Sequence, residues 1–495
     1  FYSIIDRDDP QSIPDFHAAN IENFLIRDRG QLVMRKGLTA RGSSPAATNL
    51  GAAVLYQAGQ NPLMIRVLNG ATDTSKFQQS TDGTTWSDIS GGGSKKTGVR
   101  WVFAQANNAL YGTNGQDTCV KITTSGISTV AAIPKGTSIE WWKNHMWTTG
   151  VSGAEDVLYF SSPNDPEAWN TTTQKININL GDTSVNMGLR GMGGVSGRLI
   201  VGKERSVWYI TGSSSSDFAL NPLTYEHGIC SPEAMFSVHN DVWGVDLEGN
   251  IRAIYRTTED TPFSNLKSED IQSTISSLNK ISLNMASGVY FDNYAMFFLS
   301  NGVDSYNSIT LVFDRLANDG KGGWIKFTNW NIARAVVFDT NQPKLFLFDA
   351  RTGNGQPYEW TGTSDNGQAI LSKFESKIYD FGVPERRKRF SYAYQFAPAQ
   401  GNVNMRFYSS IDRFYYTLLK TFSLLGTGNK QLGVDWTLGT DKLGSGGFVQ
   451  QRIYFTDGGG SGEGYTAQIK IEAESTTAQI KIKHFTAHFR PLGLR

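Results

Sequence analysis

The sequence predicts an all-β protein, a β-propeller followed by a C-terminal antiparallel β-sandwich. The chain has 495 residues, of which 52 are glycine, and 12% of its residues are aromatic. Short runs of Val, Ile, Phe, Tyr and Trp recur between Gly-containing turns, with three or four runs in each unit of ~35–50 residues, the size of a propeller blade. Near the end of the chain, residues 465–489 alternate between apolar and polar side chains, which is typical of a sandwich strand.

Residues 1–47 form an N-terminal lead that contains a predicted β-hairpin. A segment with Pro10 and Pro14 precedes residues 21–37, in which two apolar-alternating arms flank the polar corner Asp28-Arg29-Gly30. Two such arms around a short polar corner favour an antiparallel hairpin. We expect this segment to complete the propeller or to contact a neighbour.

Residues 48–367 are the predicted propeller. The strand-like runs are separated by turn pairs that favour tight hairpins: Asn69-Gly70, Asp82-Gly83, Asn114-Gly115, Asn301-Gly302 and Asn354-Gly355. The lengths of the units predict six blades, with seven as the alternative count. Both counts stay open because the boundaries near residues 90–140 and 330–367 are poorly marked.

One segment near residues 263–279 departs from the strand pattern. After Pro262, Ser268 is a candidate helix cap, and Ile271, Ile275 and Leu278 would share one face of a helix. A helix inserted in a propeller packs against a neighbouring element or subunit, or it covers the edge of a blade. The sequence favours neither role over the other.

Residues 368–495 form the predicted C-terminal sandwich. Eleven of the 12 tryptophans precede this segment, and only Trp436 lies within it. The string Thr-Ala-Gln-Ile-Lys-Ile occurs at residues 466–471 and again at 477–482. We interpret the two copies as paired strands with Ile on one face and Lys or Gln on the other.

The charge distribution argues against a dedicated nucleic-acid binder. The formal net charge is only +1, whereas such proteins are normally basic. From residue 368 onward, however, 17 Lys/Arg face 10 Asp/Glu, a net charge of +7, so the preceding residues carry −6. This asymmetry indicates that the two regions contact different partners, or it is evolutionary drift without a function.

Two distant cysteines, Cys119 and Cys230, are interpreted as buried apolar side chains in a reducing compartment. No apolar run is long enough for a membrane-spanning helix.

No catalytic, cofactor-binding or metal site is predicted. Residues 80–86 approximate the Asp box of sialidase-like propellers, but Asp82 and Trp86 in that pattern serve as a staple for a blade turn. A sialidase would also need an arginine triad and a nucleophilic tyrosine, which the sequence does not identify. His484 and His488 have a metal-like spacing but no third ligand nearby. The chain is therefore predicted not to be an enzyme and to need no cofactor.

The densest basic run is the candidate contact site. It follows Glu385 and consists of Arg386, Arg387, Lys388 and Arg389. A solvated loop is the simplest interpretation. Contact with an acidic partner or with DNA phosphates is the alternative, since clustered Lys and Arg bind phosphates without reading sequence.

Several stretches resemble the tail nozzle family, also called hub or head-stabilisation proteins, of short-tailed bacteriophages. They are the Asn…Arg-x-Arg-Gly…Arg-Lys-Gly pattern at residues 23–37, the Leu-Tyr-Phe-Ser…Asp-Pro…Trp segment at 156–169, the hairpin at 201–209 and residues 314–324. The similarity is scattered over residues 1–367. The C-terminal part is similar only in being rich in β-strands.

The resemblance implies a structural virion protein of the phage tail, made in the host cytoplasm. Family members form a homohexameric ring below the portal-adaptor ring, retain double-stranded DNA and release it during ejection. They also carry tail fibres or spikes and, in some phages, a plug or needle. The alternative is a receptor- or carbohydrate-binding propeller of a tail fibre, in which Trp141, Trp142 and Trp147 would stack on sugars. A sialidase-like hydrolase ranks last.

Overall fold

The computed structural model describes most of the chain and divides it into two compact units. Unit 1 comprises residues 1–39, 312–328 and 361–495, and unit 2 comprises residues 40–311 and 329–360. The described residues are 2–27, 30–70, 74–178, 188–191, 197–256, 265–339, 342–398, 403–413, 415–423, 448–457 and 462–492.

The first 24 strands in chain order are β1 (Ala18–Glu22), β2 (Phe24–Arg27), β3 (Gln31–Met34), β4 (Leu38–Ala40), β5 (Asn49–Leu55), β6 (Leu63–Asn69), β7 (Ser75–Ser80), β8 (Ser87–Asp88), β9 (Val102–Ala106), β10 (Ala109–Thr113), β11 (Cys119–Thr123), β12 (Gly126–Val130), β13 (Ser138–Trp142), β14 (His145–Thr149), β15 (Val157–Phe160), β16 (Lys175–Asn177), β17 (Gly188–Gly191), β18 (Leu199–Gly202), β19 (Val207–Thr211), β20 (Ala219–Thr224), β21 (Phe236–Val238), β22 (Asp241–Val245), β23 (Ile251–Arg256) and β24 (Asn265–Leu266).

The remaining strands are β25 (Ser287–Phe291), β26 (Tyr294–Leu299), β27 (Ile309–Asp314), β28 (Gly323–Thr328), β29 (Ile332–Phe338), β30 (Lys344–Asp349), β31 (Pro357–Trp360), β32 (Ile370–Ser376), β33 (Lys388–Pro398), β34 (Asn404–Ile411), β35 (Thr417–Ser423), β36 (Phe448–Tyr454), β37 (Glu463–Gly464), β38 (Ala467–Ser475), β39 (Lys481–Ile482) and β40 (His484–Pro491). The α-helix α1 spans Gln272–Ser276, and short 3-10 turns span Pro232–Ala234, Glu269–Ile271, Lys280–Met285 and Asn318–Gly320. None of these described helical segments is of a length and hydropathy that could span a lipid bilayer.

Unit 2 is a β-propeller whose innermost strands form a closed ring. Within its described residues, five consecutive four-stranded antiparallel sheets run from β5 to β24 in simple chain order. The β25–β26 hairpin begins a sixth sheet, and β29, β30 and β31 begin a seventh. The first strand of each sheet contacts the first strand of the next or the turn that leads into it, and β29 closes the ring against β5.

The described residues of the propeller therefore form seven blades, the higher of the two counts that the sequence left open. The count of six is wrong because two stretches with poorly marked boundaries each hold a blade of their own. One of these blades is the sheet of β9 to β12, and the other begins with β29 to β31.

The apolar core of the propeller lies between neighbouring blades. One cluster joins the first blade to the second around Trp101, and another joins the third to the fourth around Trp147. Glycine permits the close approach of two innermost strands. A Cβ atom at Gly288 in β25 would lie 2.0 Å from the ring of Phe236 in β21, so a side chain there would separate the blades.

Several blades begin with a two-residue hairpin turn in the left-handed conformation. The pairs Asn107–Asn108, Lys143–Asn144 and Asp292–Asn293 all have positive φ angles between 44° and 67°. Two consecutive positive φ angles define a type I′ turn, whose twist matches the right-handed twist of the flanking strands. Asn and Asp tolerate this conformation better than most residues with a side chain.

The helical segment was predicted near residues 263–279, of which 263 and 264 lie outside the described residues. Its described part contains the 3-10 turn Glu269–Ile271 followed by α1, and the 3-10 turn Lys280–Met285 begins directly after it. Ile271, Ile275 and Leu278 are all buried, as the predicted apolar face requires. The role expected of Ser268 is wrong, since its side chain makes no capping hydrogen bond. Instead, its hydroxyl accepts a hydrogen bond from the backbone N–H of Ile251 at 3.0 Å, which ties the segment to the fifth blade.

Unit 1 contains a β-sandwich to which distant parts of the chain contribute strands. One sheet has the order β28, β1, β32, β38, β34 and β35, and the other contains β36, β33, β37 and β40. Rings from both sheets meet, as in the pair Phe374 and Phe485, whose centroids are 6.1 Å apart. These unit boundaries differ from the sequence boundaries 1–47, 48–367 and 368–495, because residues 1–39 and 312–328 belong to unit 1.

The two copies of the repeated string do not pair with each other. The first copy lies largely in β38, which pairs with β32 and β34. The second copy ends in β39, which pairs with β3 of the N-terminal hairpin. The predicted alternation is nevertheless present, because Ile469, Ile471, Ile480 and Ile482 are all buried.

Candidate nucleic-acid-facing surface

The predicted basic run lies at the start of β33, and its four residues have different surroundings. Arg386 and Arg387 precede the strand and are exposed. Lys388 is fully buried. Arg389 is exposed and forms an ion pair of 2.6 Å with Glu463 on the neighbouring strand β37. The run is therefore part loop and part strand.

Lys388 stabilises the loop that carries the exposed arginines. Its ammonium group donates hydrogen bonds to the backbone carbonyls of Val383, Arg386 and Tyr465 at 2.7, 2.9 and 2.8 Å. Burial lowers the pKa of this lysine, while nearby Asp380 and Glu385 raise it. Because all three hydrogen-bond directions of an ammonium group are used, Lys388 cannot contact a phosphate without breaking the loop.

The register of the second sheet places Arg389 on an exposed face with other charged and aromatic side chains. Arg389 lies opposite Arg490 on β40, and Tyr392 lies opposite His488 on β40 and Tyr454 on β36. Directly opposed residues of antiparallel strands project from the same face. Arg490, His488 and Tyr454 are all exposed.

Arg452 on β36 is the centre of this face. Its guanidinium lies 3.9 Å from the ring centroid of Tyr392 and 4.9 Å from that of Tyr454. The His488 ring also packs against the Tyr392 ring, with centroids 4.5 Å apart and planes tilted by 34°. A guanidinium over aromatic rings keeps its charge and most of its N–H donors, while the rings restrict its rotation.

We call these residues the cationic face: Arg389, Tyr392, Arg452, Tyr454, His488 and Arg490. Among the described residues, the three guanidinium groups of the face outnumber two neighbouring carboxylates. These are Glu463, which pairs with Arg389, and Asp457, which accepts a hydrogen bond from the backbone N–H of Tyr454. Such a surface suits a polyanion whose phosphates are contacted without reading base sequence. The exposed Arg386 and Arg387 extend the charge beyond the strand.

Sequence reasoning missed most of the cationic face. It selected four consecutive basic residues, whereas the face draws on three strands and takes only Arg389 from the run. The alternation in β40, where His488 and Arg490 are exposed and Phe485 and Phe489 lie on the other side, was a usable signal. Without the strand order, however, nothing in the sequence relates Arg452 to either residue.

No protein-family model and no curated protein matches the sequence. Among solved structures, the chain is similar to YCF48 bound to D1 peptide, with a TM-score of 0.39 and 13% identity over 66% of this chain and 95% of that one. It is also similar to BBS1N in complex with ARL6DN, with a TM-score of 0.41 and 10% identity over 67% of this chain and 99% of that one. At these TM-scores the similarities support no statement about function.

The predicted turn staple at Asp82 and Trp86 lies in the first blade. The Asp82 carboxylate accepts hydrogen bonds from the backbone N–H groups of Thr84 and Thr85 at 2.7 and 2.9 Å. Both hydrogen bonds lower the pKa of Asp82, and the one from Thr85 contributes most. The indole N–H of Trp86 donates to the Gly83 carbonyl at 2.9 Å, and the Arg66 guanidinium lies 4.2 Å from the Trp86 ring. All of these contacts lie within the blade and organise its turn.

The histidines and cysteines do not form a metal centre within the described part of the chain. No group of three His, Cys, Asp or Glu side chains is arranged there to hold an ion. Cys119 and Cys230 are both buried and unbridged. His484 and His488 both belong to β40, and His488 packs on Tyr392.

Two of the three tryptophans considered for sugar stacking are core residues. Trp147 is fully buried and Trp142 is 4% exposed, and both belong to the cluster between the third and fourth blades. The indole N–H of Trp147 donates to the Trp142 carbonyl at 3.1 Å. Only Trp141 is partly accessible. These rings therefore stabilise the blades and do not form an exposed stacking platform.

Proposed function

We propose that the chain is a nozzle subunit of a short phage tail, a structural virion protein that assembles as a homohexameric ring. The single observation that carries the proposal is the cationic face, which lies in the part of the chain with a net charge of +7. In the ring, this face contacts the phosphates of double-stranded DNA as the DNA is retained and then ejected. The portal-adaptor ring, the tail fibres or spikes and a plug or needle are the other proposed partners.

Contacts between residues of the stretches that resemble the nozzle family support the proposal. Asn23 and Arg35 both belong to the 23–37 pattern, and the Arg35 guanidinium donates to the Asn23 side-chain oxygen at 2.8 Å. Asp156 and Lys203 belong to two other stretches, and their carboxylate and ammonium groups form an ion pair of 2.6 Å. The resembling residues therefore include internal contacts of each unit, which a shared fold would retain.

The 3-10 turn Lys280–Met285 and the turn after β26 offer a surface for a neighbouring subunit. Ile281 is 91% exposed, and Val303, in the turn after β26, is 96% exposed. Their backbones are connected, because the Asn279 N–H donates to Ser300 and the Asn279 side chain donates to Asp304. We propose that a neighbouring subunit covers these two exposed aliphatic side chains.

Native mass spectrometry tests the assembly. We expect hexamers of the purified chain, or hexamers that appear when it is mixed with a candidate portal-adaptor ring, since a closed ring needs a fixed number of subunits. The mass of the chain with and without the adaptor distinguishes the two cases. A monomer or trimer that ignores the adaptor would contradict the proposal and favour the receptor-binding alternative, which a glycan array would then examine.

The double variant Arg452→Gln and Arg490→Gln tests the cationic face. We expect weaker binding of duplex DNA of any sequence, and a slope of log affinity against log salt that is smaller by about 2, since each lost phosphate contact lowers it by about 0.9. Fluorescence anisotropy with two unrelated duplexes at several salt concentrations measures both quantities.

Arg413→Gln is the matched control for that experiment. Arg413 is also half-exposed, but it lies between β34 and β35 and forms an ion pair with Asp9. Its replacement should leave the salt slope unchanged. If the double variant kept the slope of the unmodified chain, or if binding depended on the DNA sequence, the cationic face would not be a phosphate contact.

A further inference from the structure

Charged side chains cross the space inside the ring of innermost strands in unit 2. Arg100 lies two residues before β9 of the second blade. Its guanidinium donates hydrogen bonds of 2.5 Å to the carbonyls of Met285, before β25 of the sixth blade, and Ala333, in β29 of the seventh. Because neither of these blades is adjacent to the second, the Arg100 side chain spans the interior of the ring.

Two further arginines reach the same region from other blades. Arg334, which follows Ala333 in β29, forms an ion pair with Glu233 in the turn that leads into β21 of the fifth blade. Arg190 in β17 of the fourth blade donates to the carbonyl of Met235 at 3.1 Å, at the end of that same turn. Its guanidinium is also 3.8 Å from the carboxylate of Glu140 in β13. The three arginines therefore contact groups of three short segments, at Met285, at Ala333 and at residues 233–235.

The contacts within this cluster leave one positive charge without a carboxylate partner. Arg334 and Arg190 face Glu233 and Glu140, whereas Arg100 contacts only neutral carbonyls among the described residues. The side chains of Glu233 and Glu140 are 5% and 16% exposed, and those of Arg334 and Arg190 are 20% and 27% exposed, so the two arginines are partly accessible to a small ion. In addition, the Nε–H of Arg190 is buried without a hydrogen-bond partner in the described part of the chain.

The electrostatic environment is consistent with an excess of positive charge. Burial lowers the pKa of Arg334 to about 9, and the proximity of Arg190 and Arg100 contributes in the same direction. Burial also lowers the pKa of Arg100 to about 10. Like charges held together in a region of low dielectric constant disfavour one another's charged form, and a bound anion would relieve that repulsion.

We propose that the interior of the propeller binds a small oxyanion through Arg100, Arg190 and Arg334. Planar guanidinium groups match the geometry of carboxylate and phosphate oxygens, and the unused donors include the buried Nε–H of Arg190. The anion supplies the missing negative charge and links blades that are distant in the sequence. This site is independent of the cationic face and goes beyond the proposed structural role.

Thermal unfolding of the full chain with added anions tests the site. We expect a saturable rise of the melting temperature with inorganic phosphate or with acetate, beyond that produced by sodium chloride at equal ionic strength, because an anion that binds only the folded state stabilises it. The two arms distinguish a phosphate site from a carboxylate site. A rise no larger than that in sodium chloride would overturn the proposal.

Two variants, one that removes a positive charge from the cluster and one that removes a negative charge, make the test specific. Arg190→Gln removes a positive charge and should raise the half-saturating concentration at least tenfold, whereas Glu140→Gln removes a negative charge and should lower it. Arg413→Gln, at a position of unit 1 that pairs with Asp9, is the control and should leave it unchanged. Equal half-saturating concentrations in all three variants would contradict the assignment, and the Glu140 variant keeps the test valid if the Arg190 variant does not fold.

Discussion

Replacing Arg35 by alanine is expected to lower the free energy of unfolding by about 3–5 kcal/mol, because the change leaves a largely buried carboxylate without its partner. The Arg35 side chain is fully buried, and that of Asp365 is 15% exposed. The guanidinium donates to both carboxylate oxygens of Asp365, at 2.8 and 2.6 Å. It also donates to Asn23 and to the carbonyls of Lys36 and Thr328. One side chain therefore joins the three chain segments of unit 1.

Urea unfolding followed by circular dichroism measures the loss, and hydrogen exchange locates it. We expect faster exchange in β1 and β32, the strands that pair next to this network. The double replacement Arg35→Met and Asp365→Leu is the matched control, because removing both charges leaves neither one buried alone and should recover much of the stability. If the single variant were as stable as the unmodified chain, Arg35 would not hold the segments together.

Replacing Trp147 by alanine is expected to cost about 3–5 kcal/mol of stability, since the change opens a large cavity in the propeller core. The Trp147 ring is fully buried. Its centroid is 4.9 Å from that of Phe218 and 5.1 Å from that of Phe160. The same residue was a candidate for sugar stacking, so the experiment also separates a core role from a binding role.

Trp141→Ala provides the comparison within the same strand region. Trp141 is only partly buried, so its loss should reduce the thermal unfolding temperature much less than the loss of Trp147. A glycan array with the Trp141 variant measures any contribution to sugar binding. A well-folded Trp147 variant that had lost binding to a glycan would contradict the core assignment and support the carbohydrate-binding alternative.

The sequence predicted those features that depend on neighbouring residues. Alternating apolar side chains correctly marked β38 as a half-buried strand. Only the last two residues of the second repeat lie in a strand, and the predicted pairing of the two copies is wrong. The apolar spacing of Ile271, Ile275 and Leu278 identified the buried side of the helical segment. These patterns are local, because a strand or helix exposes its faces with a fixed period whatever it packs against.

The basic run shows where local reasoning fails. Arg386 and Lys388 are two residues apart and chemically similar, yet one is exposed and the other is buried on three carbonyls. One of those carbonyls belongs to Tyr465, 77 residues away in the sequence. Burial of a lysine depends on whether enough acceptors converge on it, and the sequence alone does not contain that information.

The all-β class, the turn-rich propeller pattern and the basic character of the C-terminal part followed from the residues alone. The seventh blade, the pairing of Arg35 with Asp365 across 330 positions, and the grouping of Arg100, Arg190 and Arg334 inside the ring became evident only in the folded chain. Periodicity and turn chemistry act over a few residues. Strand order and ring closure instead depend on which distant surfaces bury each other best, and these contacts bring together the charges that form the candidate sites.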